Sequence, residues 1–396
     1  VDQPAALTQL TDLSREYEQI IEQLRLLHPR QFDQGPIDLS VAAVRAGLNQ
    51  LAGPWVVLAY TVLDDAIVII YIDDQRLTAY LRPLSALDRQ ALRQCATPAA
   101  DYRELIYRGT LHGHHAPSAT GVLYLQRLYQ LLLPPELHAL PAETTLIIAP
   151  HGALHALPFQ ALLAPDRTPL ARRPICNVPS LAALLTLLNT DESAQDSAQP
   201  RALLCGLAHY GGKARALPQA EREIAALREV WADRCETRWG EAATRAEILR
   251  LNDSGELADY EVIHFAAHAV LDALAPSQSR VLLADEALTF ADILNLRLTA
   301  RVVVLAACDG ALGAPLSGDE LLALARAFFY AGAHSVIASL WPVEDAATAE
   351  LMRHLHTGLA AGLNATPALH AAQQIMIEAG YTPYQWAAFV VIGAPG

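Results

Sequence analysis

Along most of this chain, short runs of apolar residues alternate with longer stretches of helical periodicity. Arg301-Val-Val-Val-Leu-Ala306 and Thr145-Leu-Ile-Ile-Ala149 carry almost no polar residue inside them. A strand apolar on both sides must be covered on both sides, which is the condition of a mainly parallel sheet layered between helices. Further strands are predicted at 55–63, 66–72, 77–81, 202–206, 261–265, 335–340 and 389–392. Helices are predicted at 86–95, 99–108, 119–133, 219–231, 318–331, 346–359 and 365–379. The fold class is therefore α/β.

The first 52 residues differ. Leu7, Leu10, Leu13, Tyr17, Ile20, Ile21, Leu24 and Leu27 recur at spacings of three and four, so they share one helix face. Pro29 and Gly35-Pro36 punctuate that helix, and a second stretch, Leu39 to Leu51, stops at Gly53-Pro54. This segment reads either as a helix pair packed on the α/β region or as the end of a helical-repeat or sensor region. A polar stretch, Asp191 to Pro200, lacks aromatics and reads as a linker. The expected organisation is a helical segment at 1–52, one lobe at 53–190, a linker at 191–200 and a second lobe at 201–396.

Composition narrows the function. Hydrophobic residues make up 53% of 396, enough for a large core. The net charge of −14, without a Lys/Arg-rich stretch, disfavours tracking a phosphate backbone, so no nucleic-acid partner is expected. The apolar run Trp55 to Leu63 ends at Asp64-Asp65, short of the roughly 18 residues that a membrane span needs. The opening VDQPAALTQL has neither the basic nor the apolar part of a secretory signal. Its first residue, Val1, reads as the start of a trimmed or processed piece of a longer protein. Cysteines at 95, 176, 205, 235 and 308 are odd in number and form no C-x-x-C pair. A reducing cytosol fits them better than a disulfide framework.

Two predicted strands lead into reactive side chains. One runs Glu261-Val-Ile-His264-Phe-Ala-Ala-His268; the other runs into Ala307-Cys308-Asp309-Gly310. A cysteine attacks as thiolate and a leaving amine needs a proton donor, so a Cys and a His at the carboxyl ends of neighbouring parallel strands would serve both needs. Small residues flank both, which lets a substrate backbone approach. Read from the residues alone, the ordinary account of the pair is a buried packing thiol and a satisfied core histidine, with catalysis the rarer one.

At these positions the chain resembles the CHAT domain, a caspase-like peptidase module related to separase and often joined to tetratricopeptide repeats in bacteria. The resemblance rests on His264-Phe-Ala-Ala-His268, Val302 to Cys308, and Ala331-Gly-Ala-His-Ser-Val-Ile-Ala-Ser-Leu-Trp341-Pro-Val-Glu-Asp345. It continues through Gln373 and Trp386-Ala-Ala-Phe389 to Gly393, and upstream through Leu146 to Phe159 and Pro179-Ser180, covering about 55–394. It implies two caspase-like α/β/α sandwich lobes, the first a pseudo-protease and the second active, after an N-terminal helical segment. It implies a cysteine endopeptidase in which Cys308 is the nucleophile and His268 the acid/base, forty positions apart. The amides of Cys308 and Ala269 would form the oxyanion hole, with Ala269 standing where the family usually has Gly. By the likeness to separase, Asp345 would sit in the S1 pocket and read Arg or Lys at P1. The other reading of Glu344 and Asp345 is a cap on the helix that begins beside them. The resemblance also leaves room for a latent or vestigial protease that acts as a signalling module.

No cofactor and no metal are expected. His151/His155 and His264/His268 have metal-like spacing, but neither pair is read as helical, and i,i+4 histidines share a face only on a helix. Leu111-His-Gly-His-His115 is a third such decoy, and Cys95, Cys176, Cys205 and Cys235 read as core or surface thiols. The expected partners are a protein substrate and a regulatory protein or upstream repeat or sensor domain, with no membrane.

Overall fold

The computed structural model describes residues 40–96, 119–188, 200–211, 214, 216–272, 275–310 and 319–396. The helices predicted within 1–39 and at 99–108, and the histidine cluster at 112–115, lie outside the described residues.

The described elements, in chain order, are α1 (Val41–Leu48), β1 (Trp55–Val62), β2 (Ala66–Ile72), β3 (Leu77–Pro83), α2 (Ala86–Ala96), α3 (Ala119–Leu132), β4 (Thr145–Ala149), β5 (Ile175–Asn177) and α4 (Leu181–Leu188). After residue 200 come β6 (Ala202–Gly206), α5 (Ala220–Trp231), β7 (Cys235–Trp239), α6 (Arg245–Ser254), β8 (Val262–Leu271), β9 (Arg280–Leu282), β10 (Ala287–Thr289) and α7 (Phe290–Leu294). The chain closes with β11 (Val302–Gly310), α8 (Asp319–Tyr330), β12 (Ser335–Ser339), α9 (Asp345–Ala360), α10 (Ala365–Glu378), α11 (Pro383–Trp386) and β13 (Phe389–Gly393).

The thirteen described strands form one sheet, in the order β10-β9-β8-β11-β12-β13-β5-β4-β1-β2-β3, with β6 between β7 and β8. β7, β6, β8, β11 and β12 run parallel. β13 returns antiparallel against β12 and lies parallel to β5, at Ile392 opposite Asn177. That pair joins the two halves. Gln160, buried in the first half, reinforces it by donating to the carbonyls of Ala387 and Phe389.

The apolar runs explain this architecture. Val302, Val303, Val304 and Leu305 are fully buried, as are Val336, Ile337 and Ala338. Burying a Val or Leu side chain stabilises by roughly 1.5–3 kcal/mol, so such strands exist only between covering layers. In β8, His264 contacts Glu223 of α5 and His356 of α9, while its neighbour Phe265 packs against Phe328 of α8. Alternation along the strand therefore places α5 and α9 on one face and α8 on the other.

Several elements are not predicted from the sequence: β5, β7, β9, β10, α4, α6, α7 and α11. The strands β5, β9 and β10 have three residues each, too few for a period to register.

Candidate active site

β8 and β11 are parallel neighbours, and their register sets Ala307 opposite His268 and Cys308 opposite Ala269. The segment between the two strands carries β9, β10 and α7 before the chain returns to the base of the sheet. The two sequence-predicted residues thus come to adjacent rungs of one ladder. Both strands run further than predicted. β8 continues to Leu271, where Ala269 and Val270 also pair with β9, and β11 continues to Gly310.

The ladder is irregular just before the pair. Leu305 faces Phe265 while Ala307 faces His268, so β8 supplies an extra residue. A bulge of this kind shifts the side-chain alternation and re-aims the residues beyond it. Without it, His268 would share the face of His264; with it, the two histidines part.

On its other edge β8 changes partner at the same place. Residues 262–266 pair with β6, and 269–270 pair with β9. The loop after β6 fills the gap. Leu207 N–H donates to the carbonyl of Ala266 at 3.1 Å, and the Tyr210 hydroxyl accepts the N–H of His268 at 3.0 Å. The Tyr210 ring lies 4.9 Å from the His268 imidazole, tilted by 49°. Gly206, where this loop leaves β6, has no room for a side chain, since a Cβ there would stand 2.6 Å from the Trp239 ring. His268 is 1% exposed and Ala269 is fully buried. Ala269 shares its rung with Cys308 on one side and with Val281 of β9 on the other.

Below the bulge, His264 belongs to a closed polar chain. Trp231 Nε1 lies 2.9 Å from His356 Nδ1, His356 Nε2 lies 3.1 Å from His264 Nδ1, and His264 Nε2 lies 2.8 Å from Glu223 Oε1. An indole N–H can only donate, so each proton in the series is fixed. His356 accepts at Nδ1 and donates from Nε2; His264 accepts at Nδ1 and donates to Glu223. Both imidazoles are neutral in this arrangement. Burial drives the His264 pKa down to about 3, and burial followed by the His264 charge holds His356 well below its ordinary value. The chain links β8 to α5 and α9 through buried side chains.

Asp345 is the first residue of α9. It follows β12, so it emerges from the same carboxyl edge as residues 268 and 308, one strand beyond β11. Glu344 occupies the N-cap without a side-chain capping bond. The segment leading there is held firmly. Leu340 N–H donates to Ala388 O at 2.9 Å, Trp341 Nε1 to Tyr384 O at 3.0 Å, and the Tyr384 hydroxyl to Pro342 O at 3.2 Å.

The sequence profile of the CHAT domain matches residues 122–394, well over half of the 396-residue chain. This chain belongs to the CHAT domain family. Among curated proteins, tetratricopeptide repeat protein 28 of mouse is 39% identical over 109 residues, covering 27% of this chain and 4% of that protein. The human protein of the same name is 38% identical over the same length and shares. The chain thus spans a small fraction of the curated relatives it matches. Among solved structures, separase in the separase–securin complex of Saccharomyces cerevisiae superposes with a TM-score of 0.54 at 12% identity, covering 89% of this chain and 30% of that one. A second structure of that complex gives 0.52 at 12% identity, with the same coverage. The separase likeness establishes the fold: a mixed α/β body with a central sheet and flanking helices.

The CHAT match contains His268, Ala269, Cys308 and Asp345. Two of the remaining thiols are unsuited to nucleophilic work. Cys176 and Cys205 are fully buried, and burial pushes each thiol up to about 12. Cys235 is half-buried and is also raised by burial. His264 and His268 both lie on β8, as a non-helical reading requires. His155 differs from expectation: residues Gly152–Ala156 form a 3-10 turn, with His151 at its N-cap. Among the described residues, no cluster of His, Cys, Asp and Glu has the arrangement to hold a metal ion, and no helix is long and apolar enough to cross a membrane. Tyr210 and Glu223 were missed. A tyrosine in a loop and a glutamate within an amphipathic helix carry no spacing signal that points to a histidine 58 or 41 positions away.

Proposed function

We propose that the chain is a cysteine endopeptidase that cleaves a protein substrate after Arg or Lys. The ladder register that sets residues 307 and 308 opposite 268 and 269 is the observation that carries this reading. In the proposed reaction, Cys308 Sγ adds to the scissile carbonyl as the thiol proton passes to the His268 imidazole. The amides of Cys308 and Ala269 take the oxyanion. His268 then protonates the leaving amine, the C–N bond breaks, and water hydrolyses the thioester to return the thiol. Each oxyanion donor is worth about 10²–10³ in rate. Asp345 pairs with the basic P1 side chain, a charge-assisted contact suited to a guanidinium. No cofactor enters these steps.

One observation favours a second reading, a latent or signalling module under control of a protein partner or an upstream repeat region. His268 is buried, and Ala269 sits inside a ladder paired on both sides. That burial fits a dyad that a partner must uncover before substrate can bind.

The test is incubation of the pure chain with a P1-Arg acyloxymethyl ketone, then mapping of the adduct. Alkylation at Cys308, lost in His268→Ala, is the expected result. A chain that is unlabelled alone but labelled when a partner is added supports latency. No adduct and no peptide hydrolysis under either condition overturns the peptidase reading.

A further inference from the structure

The bulge in β8 creates a backbone accounting problem. Where β6 stops pairing and β9 has not begun, the carbonyl of Ala266 and the N–H of His268 face a gap in the sheet. Both residues are buried, and a buried backbone group without a partner costs about as much as a lost hydrogen bond. The loop after β6 answers both demands. Leu207 N–H serves Ala266, and the Tyr210 hydroxyl serves His268. That loop is itself closed at its base, where Leu217 N–H donates to Ala208 O at 2.9 Å. Tyr210 is only 8% exposed, so its ring has little freedom to leave.

The same side chain touches His268 twice. Its oxygen fixes the backbone at the rung where the bulge ends, and its ring packs against the imidazole at 4.9 Å. The first contact holds the extra residue that turns His268 away from the face of His264. The second limits rotation of the imidazole about its χ angles. Few other residue types offer an acceptor at the end of a rigid aromatic plate: phenylalanine keeps only the plate, and serine keeps only the acceptor.

We infer that Tyr210 is the positioning residue for His268, setting both the strand register and the ring orientation that acid–base work at Cys308 needs. This rests on the peptidase reading given above. Tyr210 does not touch the reacting atoms in this scheme; it acts through the imidazole. A misplacement on the order of 1 Å at such a group costs about a hundredfold in rate.

The experiment compares wild type, Tyr210→Phe, Tyr210→Ala and, as a control for lost stability alone, Val44→Ala in the core at α1. Two quantities are measured: hydrolysis of a P1-Arg peptide, and the rate of Cys308 alkylation by iodoacetamide over about pH 5 to 9. Rates are expressed per site titrated with the covalent inhibitor, so a misfolded fraction lowers the titre and not the rate constant. Tyr210→Phe is expected to lose about tenfold to a hundredfold in kcat with little change in KM. Its alkylation midpoint is expected to rise toward about 8.5, the value of an ordinary thiol no longer paired with an imidazole. Tyr210→Ala is expected to lose more. Val44→Ala should lower the melting temperature and leave the alkylation midpoint in place. An active wild type with an unchanged kcat and midpoint in Tyr210→Phe overturns the inference and leaves the peptidase reading standing. A midpoint that moves equally in Val44→Ala reduces Tyr210 to a structural role and also overturns it. A wild type that neither hydrolyses peptide nor alkylates at Cys308 overturns the peptidase reading, and the inference falls with it.

Discussion

The two halves of the sheet each end a buried parallel strand near a histidine, and they use it differently. In the first half, β4 leads to His151, which is exposed and whose Nδ1 accepts the N–H of Val62 from β1 at 3.2 Å. In the second half, β8 carries His268, buried and held through its own backbone N–H by Tyr210. The first imidazole serves as a brace for a neighbouring strand. The second is itself braced, at its main chain and across its ring face. A bulge, a neighbour that ends early and a tyrosine make the difference, and a His at a strand end alone does not.

The contrast can be broken most directly at the thiol. Cys308→Ala is expected to reduce peptide hydrolysis to the uncatalysed control while the thermal melt stays nearly unchanged. Cys176→Ala, a buried thiol of the first half, should behave oppositely, costing stability and sparing turnover per folded molecule. Retained hydrolysis in Cys308→Ala would remove the asymmetry between the halves.

Next in size is the histidine exchange. His268→Ala should lower kcat by about 10²–10⁴, the usual contribution of a positioned acid or base. His151→Ala should leave kcat alone and cost about 1 kcal/mol of stability, the worth of one hydrogen bond. Equal losses of kcat in the two variants would mean that both histidines are structural.

Asp345→Ala tests whether specificity resides in the second half. Against a panel of Arg, Ala and Asp at P1, kcat/KM for Arg should fall about ten- to a hundredfold, as for a lost charge-assisted contact, and the others should stay level. An unchanged P1 profile would leave Asp345 as the first residue of α9 and nothing more.

The smallest effect is on stability in acid. The buried histidines among the described residues, 264, 268, 334 and 356, all lie in the second half. His264 is held down to about 3 and His356 well below its ordinary value, both chiefly by burial. In the unfolded chain each titrates near 6.5. Below that pH the unfolded state binds the extra protons, so stability is whole above about 6.5 and declines as pH falls toward the folded values. The slope is about 1.4 kcal/mol per pH unit for each such group. Melting temperature should therefore drop from pH 7 to 5, and Cys205 should become reactive to a thiol reagent before Cys176 does. A flat profile, or the reverse order, would show that the polar chain is no acid-sensitive weak point.

Much of this was legible in the sequence. The long apolar runs at 145–149, 302–306 and 335–339 became central strands, because nothing short of double-sided cover can accommodate them. His268 and Cys308 were marked by what surrounds them, small residues at the end of such runs. The continuity of the sheet was not legible. β5 has three residues, and its pairing with β13 depends on a segment more than two hundred positions away. The bulge was equally hidden. Ala266 and Ala267 look alike on paper, and the register shift beside them coincides with the end of the pairing with β6, a fact of tertiary structure. Glu223 and His356 read as parts of amphipathic helices, and only packing brings them to His264.

The seam between β13 and β5, clamped by Gln160, bears on what proteolysis would do to this molecule. The halves are held to each other by main-chain pairing and buried amide contacts that do not involve the connecting peptide at 189–199. Scission in that stretch would leave two fragments migrating as a single particle in gel filtration, parting when detergent dissolves the sheet. A cut there would add two new chain ends without dismantling the body that carries them.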